Sequence, residues 1–275
     1  MLGGYFLKSK DSNYEIIGVS RKDFDIKNKT KVVNFIKKTN PKIIIHAASL
    51  GNVDYCEENP NEAYKVNVEG TQNIADAAKA VNAKIIFLSS NAVYDGDNPL
   101  YDEKKITKPI DVYGKTKVEG EKLIIKSNLN YCILRLITIY GWPQPGGRVN
   151  PVTWVIDNLK KRQRINVVND IYNNHLWAGQ AAEVIWEVIK RNIEGMYNIA
   201  GADCISRYDL ALKVAKVFEL DSSLINPVSS DFFKSIAKRP KNTCFNTKKM
   251  EKELDIKPLS VDEGLKLMKA EVHTP

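Results

Sequence analysis

The chain alternates short apolar runs with longer stretches in which apolar positions recur every three to four residues. Residues 15–19, 42–46, 84–88 and 131–135 read as strands, because each is a continuous run rich in Ile, Val, Phe or Leu. Between them, 31–38, 61–81 and 112–126 carry helical periodicity. Strands that are apolar on both faces and separated by helices predict an α/β fold with a parallel sheet covered on both sides. Ligands on such sheets bind at the carboxyl ends of the strands, so the residues that follow each run are where chemistry is expected.

Beyond residue 135 the alternation loosens. Helices are expected at 151–162, 180–191, 206–219 and 247–254, and short strands at 165–168 and 195–199. The stretch Gly141-Trp142-Pro143-Gln144-Pro145-Gly146-Gly147 is the most loop-like part of the chain. It suggests a boundary between a sheet-bearing part, 1–145, and a smaller lobe, 146–275, laid over the strand ends and interleaved with the sheet.

Composition adds exclusions. In 275 residues, 43% hydrophobic and 27% charged positions exclude a disordered or fibrous chain. No apolar run approaches the roughly 18 residues that cross a bilayer, and no leader pattern opens the chain, so the expected location is cytoplasmic, without a membrane partner. Cys56, Cys132, Cys204 and Cys244 are scattered without ligand spacing. They are expected as reduced thiols, with neither disulfides nor zinc. The net charge of +8 is spread along the chain. That suits a phosphorylated small molecule, and no helix-turn-helix or aromatic-basic context supports nucleic acid.

The strongest chemical signal is Tyr113-Gly114-Lys115-Thr116-Lys117. Residues four apart share a helix face, so the phenol and the ammonium can act together. A neighbouring cation lowers a phenol's pKa and makes it a credible proton donor. Ser89 and Ser90 directly follow the run 84–88, and Ser90 can hydrogen-bond the carbonyl oxygen that Tyr113 protonates; alternatively both cap a turn. Gly114-Lys115-Thr116 is no phosphate-binding P-loop, since Pro109 stands where the first glycine is required. His46, His175 and His273 lack metal-ligand spacing, so no metal is expected. Arg239 could grip a pyrophosphate in bidentate fashion.

Asp25-Ile26, His46-Ala47-Ala48, Val66-Asn67-Val68-Glu69-Gly70-Thr71, Ser90 to Tyr94, Tyr113 to Lys117 and Arg135 to Gly141 occur in the order and spacing of the extended short-chain dehydrogenase/reductase family, which the chain resembles. Within it, Tyr94-Asp95-Gly96, the 165–170 segment and Arg239-Pro240-Lys241-Asn242 are similar to the dTDP-4-dehydrorhamnose reductase branch. The resemblance implies a Rossmann-type doubly wound sheet with a small C-terminal substrate lobe. It also implies NADP (or NAD) as cofactor and reduction of a 4-keto nucleotide sugar. By position, Tyr113 would be the general acid, Lys117 would hold the nicotinamide ribose, and Ser90, Asn91 and Arg239 would meet the substrate. Gly3, Asp25, Ile26, Ala47, Ala48 and Ile137 would line the cofactor site, and Arg21 would favour the 2′-phosphate of NADP. Asn67 stands where the family has a structural asparagine. The resemblance leaves the oligomeric state open, a homodimer included.

The branch's pattern is broken in places. Thr138 occupies a tryptophan's place, Asn91-Ala92 replaces Asp-Tyr, and Asp170-Ile171 and His175-Leu176 replace an Asp-Gln turn and Pro-Thr. The branch also includes the regulatory β subunit of methionine adenosyltransferase, similar through Asn98-Pro99-Leu100-Tyr101, so a non-catalytic partner protein is a second reading; a nucleotide-sugar epimerase is a third. The first strand and the glycine turn that receives a pyrophosphate have no counterpart before Gly3. Either the natural start lies about ten residues upstream, one strand and its turn, or strand 15–19 closes the gap.

Overall fold

A computed structural model describes residues 1–9 and 11–271; His273 lies outside them. In chain order the elements are α1 (Leu2–Lys8), α2 (Lys29–Thr39), β1 (Ile43–His46), α3 (Val53–Glu58), α4 (Pro60–Tyr64), α5 (Gly70–Ala80), β2 (Lys84–Ser90), α6 (Val112–Lys126), β3 (Tyr131–Leu136) and β4 (Ile139–Tyr140). There follow α7 (Pro151–Lys160), β5 (Ile165–Val168), β6 (Tyr172–Asn173), β7 (Leu176–Trp177), α8 (Ala178–Lys190), β8 (Gly195–Ile199), β9 (Ile205–Ser206), α9 (Arg207–Phe218), β10 (Ile225–Val228) and α10 (Val261–Ala270). A π-helical turn, Lys65–Glu69, joins α4 to α5, so the expected helix 61–81 is continuous but bulged.

The main sheet has the order β1-β2-β3-β8, all parallel. Successive residues of a strand face opposite sides, and here both sides are covered. Ile85, Phe87 and Ile133 pack with α2 and α5, while Ile86, Cys132 and Leu134 pack with α8 and with Tyr5 and Phe6 of α1. This is why the strands read as unbroken apolar runs. The lobe has its own core, where Val152, Val155 and Ile156 of α7 meet β5, β10, α9 and α10. Because β8 belongs to the sheet although it falls in the second half of the chain, lobe and sheet are interleaved.

Two expectations fail. Residues 15–19 form no strand; Ile17 and Val19 are exposed and the segment's backbone enters no ladder. It does not close the sheet. Lys84 N–H donates to Lys42 O, which turns the N–H and C=O of Ile43 and Ile45 away from β2 toward a side where no described residue pairs with them. An apolar pentapeptide becomes a strand only where a partner edge is within reach, and Ile16 contributes only its side chain to the cluster that also takes Met1, Leu2, Ile43 and Ile45.

The second failure concerns the cysteines. Cys204 and Cys244 form a disulfide across 40 residues of sequence, whereas Cys56 and Cys132 are free and buried. The pairing follows from topology: β6 pairs with β9 and is bridged by Asn242, which brings the residues before β9 beside the segment after Asn242. Their Cα atoms lie 5.8 Å apart, inside the bridging range. Thiol titration of unreduced, unfolded protein should find two free thiols and reduced protein four. Reduction should cost up to about 4 kcal/mol of stability, the loop-closure value for this span, measured as a drop in denaturation midpoint.

Candidate active site

Helix α6 delivers the two strongest candidates. Its N-cap Asp111 accepts from Gly114 N–H at 2.7 Å, and the carboxylate of Glu57 accepts from Val112 N–H at 3.0 Å. A Cβ on Gly114 would lie 2.1 Å from the Ala92 carbonyl oxygen. Only glycine lets the first turn of α6 press against the Asn91–Val93 turn that follows β2. That approach sets Tyr113 opposite Ser90, whose hydroxyl, with that of Ser49, faces the phenol. Burial outweighs both hydroxyls and holds the phenol above its ordinary pKa, contrary to the lowering expected from Lys117. A phenol kept protonated is what a proton donor needs. Ser90 also accepts from Ala92 N–H at 3.2 Å, so it caps the turn as well as facing Tyr113.

One turn on, Lys117 is 3% exposed. Its Nζ donates to Leu88 O at 2.6 Å and stands 4.2 Å from the centre of the Phe87 ring. Burial lowers its pKa to about 8, with Glu121 pulling the other way. Glu121, a further turn along the same face, is gripped by Arg135 through Nε at 2.9 Å and Nη2 at 2.6 Å, and accepts from the Ser89 hydroxyl. Arg135 Nη1 donates to the Tyr94 hydroxyl at 2.6 Å. Tyr113, Lys117 and Glu121 thus continue one four-residue spacing. Its third member was there to be read in the sequence.

Asn67 sits on the π-helical turn and is buried. Its Nδ2 donates to Thr116 Oγ1 at 2.9 Å and Leu50 O at 3.1 Å, and its Oδ1 accepts from Leu50 N–H at 2.7 Å and Ser49 Oγ at 3.1 Å. It therefore ties the loop after β1 to α6. His46 meets Thr71 Oγ1 at 2.9 Å, and burial followed by Lys117 lowers its pKa to about 3, so it stays neutral. Ala47 and Ala48, directly after β1, are exposed and small.

The remaining candidates are dispersed. Gly3 lies on α1 with open space beside it. Arg21 is exposed, 3.8 Å from Asp25. Ile26 packs on Gly70, and Asn73 Nδ2 donates to its carbonyl at 2.9 Å, which seats 25–26 on α5. Ile137 is buried in the core behind the end of β3. On the lobe side, Asn91 Nδ2 donates to Thr243 Oγ1 at 2.6 Å, and Asn173 Nδ2 reaches the same oxygen at 2.7 Å. Arg239 is paired with Asp54 at 2.8 Å. Thr243, Asn173 and Asp54 carry no motif, and only the folded chain brings them here. No cluster of metal-ligating side chains occurs among the described residues.

Comparison with known proteins fits this geometry. The family model of the RmlD substrate binding domain matches residues 2–274. The chain belongs to that family. It is 32% identical over 273 residues to dTDP-4-dehydrorhamnose reductase of Aggregatibacter actinomycetemcomitans, covering 94% of this chain and 91% of that protein. It is 30% identical to methionine adenosyltransferase 2 subunit beta of Rattus norvegicus, covering 80% of this chain and 67% of the relative. The crystal structure of dTDP-4-dehydrorhamnose reductase from Bacillus anthracis in complex with NADP superposes with a TM-score of 0.92 at 28% identity, over 98% of this chain and 95% of that one. The family's sheet is of the Rossmann type, in agreement with the parallel order found here.

Glu121 and Arg135 each expose 4% of their side chains. E121Q leaves a buried guanidinium without its carboxylate and should cost about 3–5 kcal/mol, whereas E121M/R135M, which removes both charges, should cost much less. Urea denaturation of the single and double variants measures the difference.

Proposed function

We propose that this family member is an NADPH-dependent reductase of a 4-keto nucleotide sugar, similar to dTDP-4-dehydrorhamnose reductase. The observation that carries the reading is the Tyr113 phenol facing Ser90, with the Lys117 ammonium buried one turn behind. A cofactor fits the residues present. Of the three N–H bonds on Lys117, one is taken by Leu88 O, which leaves two donors for ribose hydroxyls, and Ala47 and Ala48 are exposed and small at the adjoining strand end. Ile137 would back the nicotinamide, and Gly3, Arg21, Asp25 and Ile26 would meet the rest, Arg21 favouring the 2′-phosphate of NADP over NAD.

The reduced nicotinamide supplies a hydride for the ketone carbon. Tyr113 gives its proton to the carbonyl oxygen as negative charge develops there, and Ser90 orients that oxygen. Lys117 stabilises the phenolate left behind. The Tyr113 ring is half-buried and the Lys117 ammonium buried, so the charge acts through a partly dry site. Asn91 and Arg239 would hold the sugar nucleotide from the lobe side. The proposed compartment is the cytoplasm, and the Cys204–Cys244 bridge is compatible with it in organisms whose intracellular proteins keep disulfides. The similarity to the methionine adenosyltransferase subunit favours a regulatory role as the second reading. Retention of Ser90, Tyr113 and Lys117 together supports the enzyme.

With dTDP-4-keto-6-deoxy sugar and NADPH, Y113F should lower kcat by about 10²–10⁴ with little change in KM. Lys117 is charged below its pKa of about 8, so kcat/KM should fall as pH rises through 8. Full activity in Y113F, or no substrate-dependent NADPH oxidation by the unaltered protein, would overturn the reading.

A further inference from the structure

The segment 240–246 lies between β6 of the lobe and the turn after β2, and its backbone holds it there. Tyr172 N–H donates to Lys241 O at 2.7 Å, and Thr243 N–H to Tyr172 O at 3.3 Å. The Asn174 amide closes on Phe245 in both directions, accepting from its N–H at 3.0 Å and donating to its carbonyl at 3.1 Å. The Cys204–Cys244 bridge adds a covalent tie next to Thr243. On the sheet side Gly96, at φ 89°, lets Pro240 close on the loop that follows Ser90; a Cβ on this glycine would lie 2.8 Å from the proline side chain.

Thr243 is fully buried, and its hydroxyl takes no part in that fastening. Its Oγ1 accepts from Asn173 Nδ2 of β6 at 2.7 Å and from Asn91 Nδ2 at 2.6 Å, which fills both lone pairs. Asn91 stands where the reductase branch has aspartate. A carboxylate offers acceptors only, whereas an amide has a donor end and an acceptor end. Thr243 takes the donor end of Asn91, and the acceptor end is thereby turned to Ser90, whose hydroxyl donates to Asn91 Oδ1 at 3.4 Å. That contact is long, so Ser90 can redirect its O–H to an arriving ketone oxygen with little loss.

We propose that Thr243 is a positioning residue of the reduction: it orients the Asn91 amide and, through it, the Ser90 hydroxyl that holds the ketone oxygen for Tyr113. Thr243 itself touches neither substrate nor cofactor. Asn173 fixes the Thr243 oxygen from the lobe, so the orientation of a group at the end of β2 is set by β6. The role rests on the reductase reading and names what aligns Ser90 within it. T243V removes the hydroxyl and leaves every backbone tie in place, so the variant folds with a lower melting temperature, because two amide donors lose their acceptor. T243S keeps the hydroxyl.

Steady-state kinetics of the full chain with dTDP-4-keto-6-deoxy sugar and NADPH test it, with circular dichroism confirming that each variant is folded. T243V should lower kcat about tenfold, the scale of one hydrogen bond, and T243S should retain most of it. In the S90A background T243V should change kcat by less than about twofold, because residues that act through one another are not additive. N91A breaks the same link at a half-buried turn, where folding is not at stake, and decides alone should T243V not fold. Its kcat should fall as in T243V, again only where Ser90 is present, while any substrate contact made by Asn91 shows in KM. An unchanged kcat in folded T243V or N91A, or an equal loss with and without Ser90, overturns the positioning role and leaves the reductase standing. An unaltered chain that oxidises no NADPH with the keto sugar overturns the reductase reading and the role with it.

Discussion

The buried ammonium of Lys117 is the constraint around which the first half of the chain is arranged. A cation taken out of water needs acceptors and a counter-charge. Leu88 O supplies the first, which requires α6 to cross the end of β2; Glu121 supplies the second without bonding Lys117 directly. Glu121 in turn must be held, and Arg135 reaches it from β3 while Ser89 reaches it from β2. Two strands and a helix are thereby locked in register by one set of charges. The close approach that this needs is permitted by Gly114 against Ala92 and by Gly120 against Phe87.

The elements that bury one apolar face against the sheet were legible. The range 112–126 is α6 residue for residue, and β1, β2, β3 and β8 each sit on an expected run. What escaped notice was short or dependent on partners. Helix α1 has no long period, α10 starts from a Ser260–Glu263 capping box that the pattern reading passed over, and β4, β6, β7 and β9 are two residues long. Residues 15–19 mark the opposite failure: local preference for a strand was present, but no ladder forms without an adjacent edge.

The site divides the same way. Tyr113 and Lys117 share one helix, so their spacing was enough; Ser90 was found because a strand end fixes where it points. Thr243, Asn173, Asp54 and the Cys204–Cys244 pair join segments distant in sequence, and nothing in their neighbours marks them. Arg239 was noticed through its motif, yet the structure gives it a partner, Asp54, that the motif could not predict.

Polar satisfaction is uneven across the molecule, and the unevenness has a direction. The groups around α6 are well answered: Asn67 makes four hydrogen bonds, and Glu121 and Arg135 close on one another. Elsewhere two donors on Lys117 stay open, and buried polar atoms of His175, Trp177, Asn198 and Arg207 lack partners, with Asn91, Asn173 and Thr243 spanning from Ser90 to the lobe. Unmet hydrogen-bonding capacity costs stability wherever it lies, so the open donors of Lys117 at the end of β2 argue that this group is held for a partner that arrives with a ligand. Lys117 would take ribose hydroxyls. The chain then spends its stability where chemistry happens, and the fully bonded network behind Lys117 is what keeps those groups in place until the ligand comes.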